Sequence, residues 1–550
     1  MIAVNETGFE PTAEKIAVSD RPGVFHIVND PEGKQTETSV KVTERGYDAS
    51  AGHNVYLLDL SGLVEPGIYH IESEDGDRSA SFKVEEGVYR TLGNALAKFF
   101  YFQRCGMELE EKYAGPYSRK ACHGYPSKLL YGEMQKLLPK GWHDAGDYGR
   151  YVSAGAVAAA HLLYAYELFP DAFKDTVNIP ESGNGVPDIL NECRYELEFL
   201  MSMQADDGGA YHKVTPWVFS GLIMPDEEVC QQLIFPVTSM STADLAAVLC
   251  LASRIYEAYD PSFAAECLKR GRLSGEWLLA HPDNTDFHNP EGCITGEYTD
   301  PCDSDERMWA FAELLRTGAD QYNKSLAEAF DLYNRSHPHY DGRSEDDGFG
   351  WNDVSSLAAL SVVFDPDHSA GDDMRESMRA LIEERADSFL AMQDEGYPVS
   401  MMPEDYIWGS NMVVTNRADV MLLAALIREK DTGEEAAEKY RRAAGRQLHY
   451  ILGMNAMDIS YVTGFGEHAV KDPHNRSNIA DGIDRPVPGQ MSGGPCTWMA
   501  DDMIKETASS ETPPQKCYRD HHMSYSTNEI AVYWNSSLLF AVAAAISGKK

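Results

Sequence analysis

Asp144 and Asp147 stand three positions apart in KGWHDAGDYGRYV, with only Ala145 and Gly146 between them. Two carboxylates on so small a turn can converge on one water molecule, and a deprotonated carboxylate beside a trapped water is what general-base hydrolysis needs. Trp142, Tyr148 and Tyr151 lie in the same stretch and offer flat apolar faces on which a sugar ring could stack. A structural alternative stands beside this reading. An aspartate ahead of an apolar helix caps free amides and suits the positive end of the helix dipole, although one aspartate would suffice for that.

A second acidic position opens an otherwise apolar run, Glu529 in SYSTNEIAVYWNSSLLFAVAAAI. Ser526 and Glu529 have the spacing of a capping box, which would make Glu529 a helix start and nothing more. Flanked by Tyr525 and Trp534, it could equally be a carboxylic acid kept protonated by partial burial, as a general acid requires. A base on a turn and an acid at a remote helix start form the pair that cleaves glycosidic bonds.

These groups must be positioned by the elements around them. Up to about residue 88 the chain shows short alternating runs, GVFHIVN, NVYLLDL, GIYHIES and ASFKVEE, separated by Gly, Pro, Asp and Asn turns, which predicts a small β-sandwich over 1–88. From YRTLGNALAKFFYFQRCG the apolar period becomes 3.6. Twelve helices are predicted in 89–550, near 90–105, 150–168, 187–204, 241–258, 262–280, 304–318, 321–334, 353–364, 372–392, 414–428, 434–452 and 527–547. They suit a closed ring of helical hairpins, but they are not sequence repeats, and period alone leaves ring and solenoid both open. The stretches 206–238, 282–303 and 455–526 lack helical pattern, and loops this long in a compact domain carry function.

The chain has 47 basic and 87 acidic residues, a formal net charge of −40. Such a surface disfavours phosphate backbones and anionic membranes, so neither nucleic acid nor a bilayer is expected as a partner. No apolar run approaches the roughly 18 residues of a membrane span. The N-terminus MIAVNETGFEPTAEK has no basic n-region or apolar h-region. Ten cysteines, among them Cys193, Cys250 and Cys267 in helical patterns, are too few for a disulfide scaffold. A cytoplasmic monomer is the expectation, with secretion behind a trimmed signal peptide as the alternative.

The blocks GWHDAGDYGRYV, NIPESGNGVPDILNECRYELEFLMSMQ, DERMWAFAELLRTG, YIWGSN, LGMNAMDISYVTGFG, PHNRSN, VPGQMSGGP and YSTNEIAVYWNSSLLFAVA occur in the order seen in glycoside hydrolase family 9, the inverting β-glucanases, which the chain resembles over nearly its whole length. IAVNETGFEPTAEKIAV is similar to the immunoglobulin-like domain that precedes the catalytic domain in one branch. The resemblance implies a mainly α protein, an (α/α)6 barrel behind an immunoglobulin-like β-sandwich. It implies Asp147 as catalytic base, Asp144 as holder of the attacking water and Glu529 as general acid. Inversion would place the Asp147 and Glu529 carboxyls roughly 6.5–9.5 Å apart. His474 and Arg476 match the family's substrate-contacting pair, and Asn475 stands where histidine is common, a departure expected to alter subsite preference. Trp408 resembles a sugar-stacking platform, and Tyr525 and Trp534 are expected to contact substrate beside the acid.

Cys105, Cys122, His123 and His143 would satisfy a tetrahedral Cys2His2 shell, although their spacing is not that of a zinc finger. On residues alone, core cysteines and surface histidines explain them as well; similar residues bind zinc in the related branch, and the resemblance implies a structural zinc. His143 directly precedes Asp144, so a metal there would anchor the catalytic turn. DSDERMWAFAEL and GFGWNDVSSLAAL resemble calcium-binding segments, with Asp305, Glu306 and Asp353 as candidate oxygen ligands; a solvated acidic helix start explains the first two residues equally. No organic cofactor is expected. The resulting reading is an inverting endo-β-1,4-glucanase acting on cellulose-type glucans or cello-oligosaccharides. Its rivals are an exo-acting β-glucosidase or β-glucosaminidase on short oligosaccharides and a non-catalytic carbohydrate-binding protein.

Overall fold

The computed structural model describes residues 1–336 and 347–548. Its N-terminal part is two antiparallel four-stranded sheets. One contains β1 (Ile2–Val4), β2 (Ile16–Ser19), β5 (Lys41–Asp48) and β6 (His53–Asp59) in the order β1-β2-β6-β5, the other β3 (Phe25–Asn29), β4 (Lys34–Ser39), β7 (Gly67–Ser73) and β8 (Phe82–Val84) in the order β4-β3-β7-β8. Alternation sends Val4, Ala17, Ile27, Leu58, Ile71 and Phe82 into a shared core between the sheets.

Twelve long helices follow: α1 (Arg90–Gln103), α2 (Val152–Leu168), α3 (Asp188–Ser202), α4 (Ser239–Tyr256), α5 (Pro261–Ala280), α6 (Ser304–Arg316), α7 (Asn323–Ser336), α8 (Ser355–Val363), α9 (Asp372–Ala391), α10 (Ser410–Thr432), α11 (Glu434–Ile451) and α12 (Val532–Ser547). The even-numbered helices are buried nearly all round, as in AAVLCLAS of α4 and SSLAALSVV of α8, and a helix without a polar face must lie inside. They form the inner ring, α10 packing on α12, α12 on α2, α2 on α4, α4 on α6 and α6 on α8, while α9 touches both α8 and α10 and closes it. Each odd-numbered helix backs one inner helix, α1 doing so for α12. This is an (α/α)6 barrel. Close approach has its own residue requirement: a Cβ on Gly155 of α2 would lie 2.3 Å from the Glu196 carboxylate of α3.

The helix boundaries fall within a few residues of the sequence expectation except at two starts. α10 begins at Ser410 rather than 414, and α12 at Val532 rather than 527, because Tyr525–Asn528 is a separate short turn of helix. The sandwich docks on the barrel through Glu14 and Arg446, paired at 2.8 Å through two hydrogen bonds, the Arg45 Nε donating to Gly396 O at 2.8 Å, and the Glu6 amide donating to Leu452 O at 2.9 Å. Among the described residues no helix is long and apolar enough to cross a membrane.

Candidate active site

The N-terminal ends of α2 and α12 lie side by side because those helices pack together, and each is preceded by one of the acidic motifs. The Asp144–Gly149 turn is closed by the Asp144 amide on Gly149 O at 3.0 Å and by the Gly149 amide on Asp147 Oδ2 at 2.9 Å. Neither aspartate caps α2, whose N-cap is Tyr151. The turn is tied to the other helix by the Val532 amide, which donates to Asp144 O at 2.8 Å.

Glu529 likewise is no helix cap. It follows the short helix with φ −67° and ψ 158°, extended backbone, and Ser526 donates its hydroxyl to Asp501 instead of capping α12. The extended stretch pairs with His474 in a parallel bridge, and Gly493 N donates to Glu529 O at 2.7 Å. Gly146 brings the two motifs into contact: a Cβ there would meet His474 O at 2.4 Å and Glu529 Oε1 at 3.2 Å.

Asp144, Asp147 and Glu529 all line one cavity of about 950 Å³, together with Tyr151, Tyr298, Trp351, Trp408, His474, Arg476, Trp498, Tyr525, Tyr533 and Trp534. Burial pushes the Glu529 carboxyl up to about 8, reinforced by the nearby Asp147 charge and opposed by Arg476. Glu529 therefore holds its proton at neutral pH. Asp147 is also raised by burial, but Arg476 and the Gly149 amide favour its ionised form. Burial and the Asp147 charge hold Asp144 well above the carboxylate range. Three crowded carboxyls whose surroundings separate their proton affinities are the raw material of acid–base catalysis.

Arg476 grips the carbonyl between the two aspartates, its Nη1 and its amide donating to Gly146 O at 2.8 and 3.1 Å. His474 Nδ1 meets His522 O at 2.5 Å, and burial lowers its imidazole to about 4, so the ring is neutral. Asn475 does not face the cavity. It is buried and accepts from the Asn478 amide at 3.2 Å, capping the short helix Arg476–Ala480, so its difference from histidine is absorbed by backbone chemistry. Trp408 and Tyr525 stand 5.4 Å apart, their planes inclined by 37°. The Trp534 ring is enclosed by Gly409 and Gly493 and presents only part of its surface.

Of the aromatics beside the turn, Tyr151 alone reaches a catalytic-turn carboxylate, donating to Asp147 Oδ2 at 3.4 Å. Trp142 is buried against Phe100, and Tyr148 donates to Ile223 O. Sequence reasoning missed Tyr298, whose hydroxyl contacts Asp144, and the wall residues Trp351, Tyr533 and the 56 % exposed Trp498. Their only signal was an aromatic in a long loop or beside the acid.

Behind the turn, Cys105, Cys122, His123 and His143 bring four buried ligand atoms within 4.8 Å of one another. Sγ of Cys122 lies 3.9 Å from Sγ of Cys105 and 3.7 Å from Nε2 of His143, and Cys105 Sγ lies 3.4 Å from His123 Nδ1. Bond lengths of about 2.3 Å to sulfur and 2.0–2.1 Å to nitrogen give a zinc tetrahedron edges of about 3.8 and 3.5 Å, so the donors fit the ion. Glu228 Oε2, 2.9 Å from His123 Nε2, fixes that ring from behind.

The second acidic cluster differs from the sequence expectation. Asp305 and Glu306 do meet, but their third partner is Asp300 rather than Asp353. Asp353 is taken by Arg385 at 3.2 Å, Tyr333 at 3.1 Å and the Ser355 amide at 2.9 Å. Both oxygens of Glu306, both of Asp244 and one of Asp300 are buried without hydrogen-bond partners. Unpaired buried carboxylates on this scale call for a cation, and the all-oxygen donor set fits calcium.

A model of glycosyl hydrolase family 9 matches residues 89–542, and one of the cellulase N-terminal immunoglobulin-like domain matches residues 1–78. The chain belongs to glycosyl hydrolase family 9. This family 9 chain is 38% identical to a cellodextrinase of Butyrivibrio fibrisolvens over 98% of either sequence. The structure of AaCel9A in complex with cellobiose-like isofagomine superposes with a TM-score of 0.90, 33% identity and full coverage of both chains. That of a Zn-binding triple mutant of family 9 endoglucanase J30 gives 0.88 at 28% identity, covering 98% of this chain and all of the other. The family 9 chain is a cellulase-type glycoside hydrolase that cleaves β-1,4-glucan.

Proposed function

We propose that the enzyme hydrolyses β-1,4-glucosidic bonds with inversion: Asp147 takes a proton from water held beside Asp144, while Glu529 protonates the departing glycosidic oxygen. The observation that carries this division of labour is the protonated, buried Glu529 facing the same cavity as the aspartate pair. Arg476 holds the turn through Gly146 O, and the neutral His474 edge and the Trp408 and Tyr525 faces receive sugar hydroxyls and rings. Product released as the α-anomer, followed by NMR within the first turnovers, tests inversion; an initial β-anomer overturns it.

Internal cleavage is the primary reading, and the full-length likeness to a cellodextrinase favours a second, action at the ends of short oligosaccharides. Product lengths over time on carboxymethylcellulose, cello-oligosaccharides and chitosan oligomers separate these readings and test the glucosaminidase alternative.

Cys105, Cys122, His123 and His143 are the residues that would hold a structural zinc, and Asp300, Asp305 and Glu306, with Asp244 close by, a calcium ion. The first would fix the strand entering Asp144; the second would fix the loop that carries Tyr298. Their contribution is rigidity of the catalytic turn, with the proton transfers left to the three carboxyls.

A further inference from the structure

The seam between sandwich and barrel contains another group of ligating side chains, away from the catalytic cavity. Glu6 follows β1 and enters the barrel loop 453–468, where its Oε2 accepts from the His468 amide at 2.8 Å. Two glycines at positive φ make room for this carboxylate. A Cβ on Gly466 (φ 126°) would lie 2.4 Å from Glu6 Oε2, and one on Gly453 (φ 130°) would lie 3.1 Å from Oε1. The Glu6 side chain has no solvent exposure, and Oε1 accepts no hydrogen bond.

Asp458, held at φ 51°, brings a second carboxylate whose Oδ1 is also buried without a donor. His468 stands between the two, its Nδ1 3.6 Å from Glu6 Oε1 and 3.3 Å from Asp458 Oδ2. One ligand atom from each of the three residues lies within 4.8 Å of the others. The backbone has thus been shaped around an oxygen that the protein does not satisfy, and leaving it so is costly.

We propose that Glu6, Asp458 and His468 form a divalent transition-ion site that pins the immunoglobulin-like domain to the barrel. An imidazole nitrogen with two carboxylates is a zinc-class donor set, whereas calcium takes oxygen. His468 is 47 % exposed, which gives the ion a path in and leaves a coordination position for water. The ion joins residues from both domains, so its binding energy acts on the seam and not on the sugar cavity.

The test is a zinc titration of the full chain, with its Cys2His2 group already loaded and excess metal dialysed away, read by calorimetry and by thermal melting. Wild type takes up one further equivalent and its melting temperature rises. His468→Ala and Asp458→Asn each weaken that uptake at least ten-fold and remove the melting shift, while the rate of cello-oligosaccharide hydrolysis is unchanged. Uptake that is the same in wild type and both variants overturns the site. So does wild type that takes no further zinc, which leaves a protonated His468 bridging two carboxylates as an ion pair only.

Discussion

The Tyr298 hydroxyl donates to Asp144 Oδ2 at 2.5 Å, from a loop residue held at φ 51°. That bond occupies one carboxylate oxygen and leaves Oδ1, buried and without a protein donor, for the water that Asp147 is to deprotonate. Tyr298→Phe keeps the ring against Trp351 and Tyr151 but frees Asp144 to rotate. We expect kcat to fall about 10²-fold, the cost of a small misplacement at the reacting centre, with KM nearly unchanged. A parallel rise in KM would assign Tyr298 to substrate binding instead.

Glu529→Gln removes the transferable proton and keeps the shape, so turnover should drop about 10²–10⁴-fold. Stability should move the other way. The folded pKa of about 8 lies above the model value of 4.5, so the stability linked to this group is present in full below 4.5 and is lost as pH rises through 8. At pH 9 the variant should melt at or above wild type. A large drop in melting temperature there would make Glu529 a structural residue.

The same groups set the pH dependence of kcat/KM. Activity should decline on the alkaline side near pH 8 as Glu529 loses its proton, and on the acid side as Asp147 gains one, above the ordinary aspartate value because burial raises it. An alkaline limb well below pH 8, in a profile measured on a soluble oligosaccharide, would mean that another group supplies the proton.

Gly146→Ala tests the contact between the two motifs. Its methyl would press on His474 O and on the Glu529 carboxylate, an overpacking that costs about 1–3 kcal/mol. Acid and turn should separate, and kcat should fall while the circular dichroism spectrum stays native. Unchanged kinetics would show that the turn can shift without consequence.

Stripping zinc with a chelator should lower activity at temperatures where the fold is intact, because Cys105 and His143 bracket the strand pairing that leads into Asp144. Re-addition of zinc should restore the rate. Equal rates with and without metal would confine those four residues to packing.

The twelve helices were legible because inner helices are apolar around their whole circumference and outer ones along one stripe. Ring closure was not, since α9 reaches both α8 and α10 through contacts that no period records. Local capping rules misjudged Ser526 and the two aspartates, because tertiary partners such as Asp501 and Val532 claimed the groups that caps would have used. Asp353 lies on the expected segment, yet Arg385 from α9 neutralises it, while Asp300, hidden in a loop, took its place in the acidic cluster. Pairwise competition of that kind is settled in three dimensions.

Helix α12, which carries the acid's neighbour Ala531 into the ring between α10 and α2, comes after every other barrel helix in the chain. During synthesis the first eleven helices therefore emerge as an open horseshoe, with the apolar flanks of α2 and α10 unmated and the aspartate turn lacking its proton donor. The ribosome releases a competent hydrolase only when this keystone slots home, so the interval before it does is when the nascent protein is most exposed to chaperones and to aggregation.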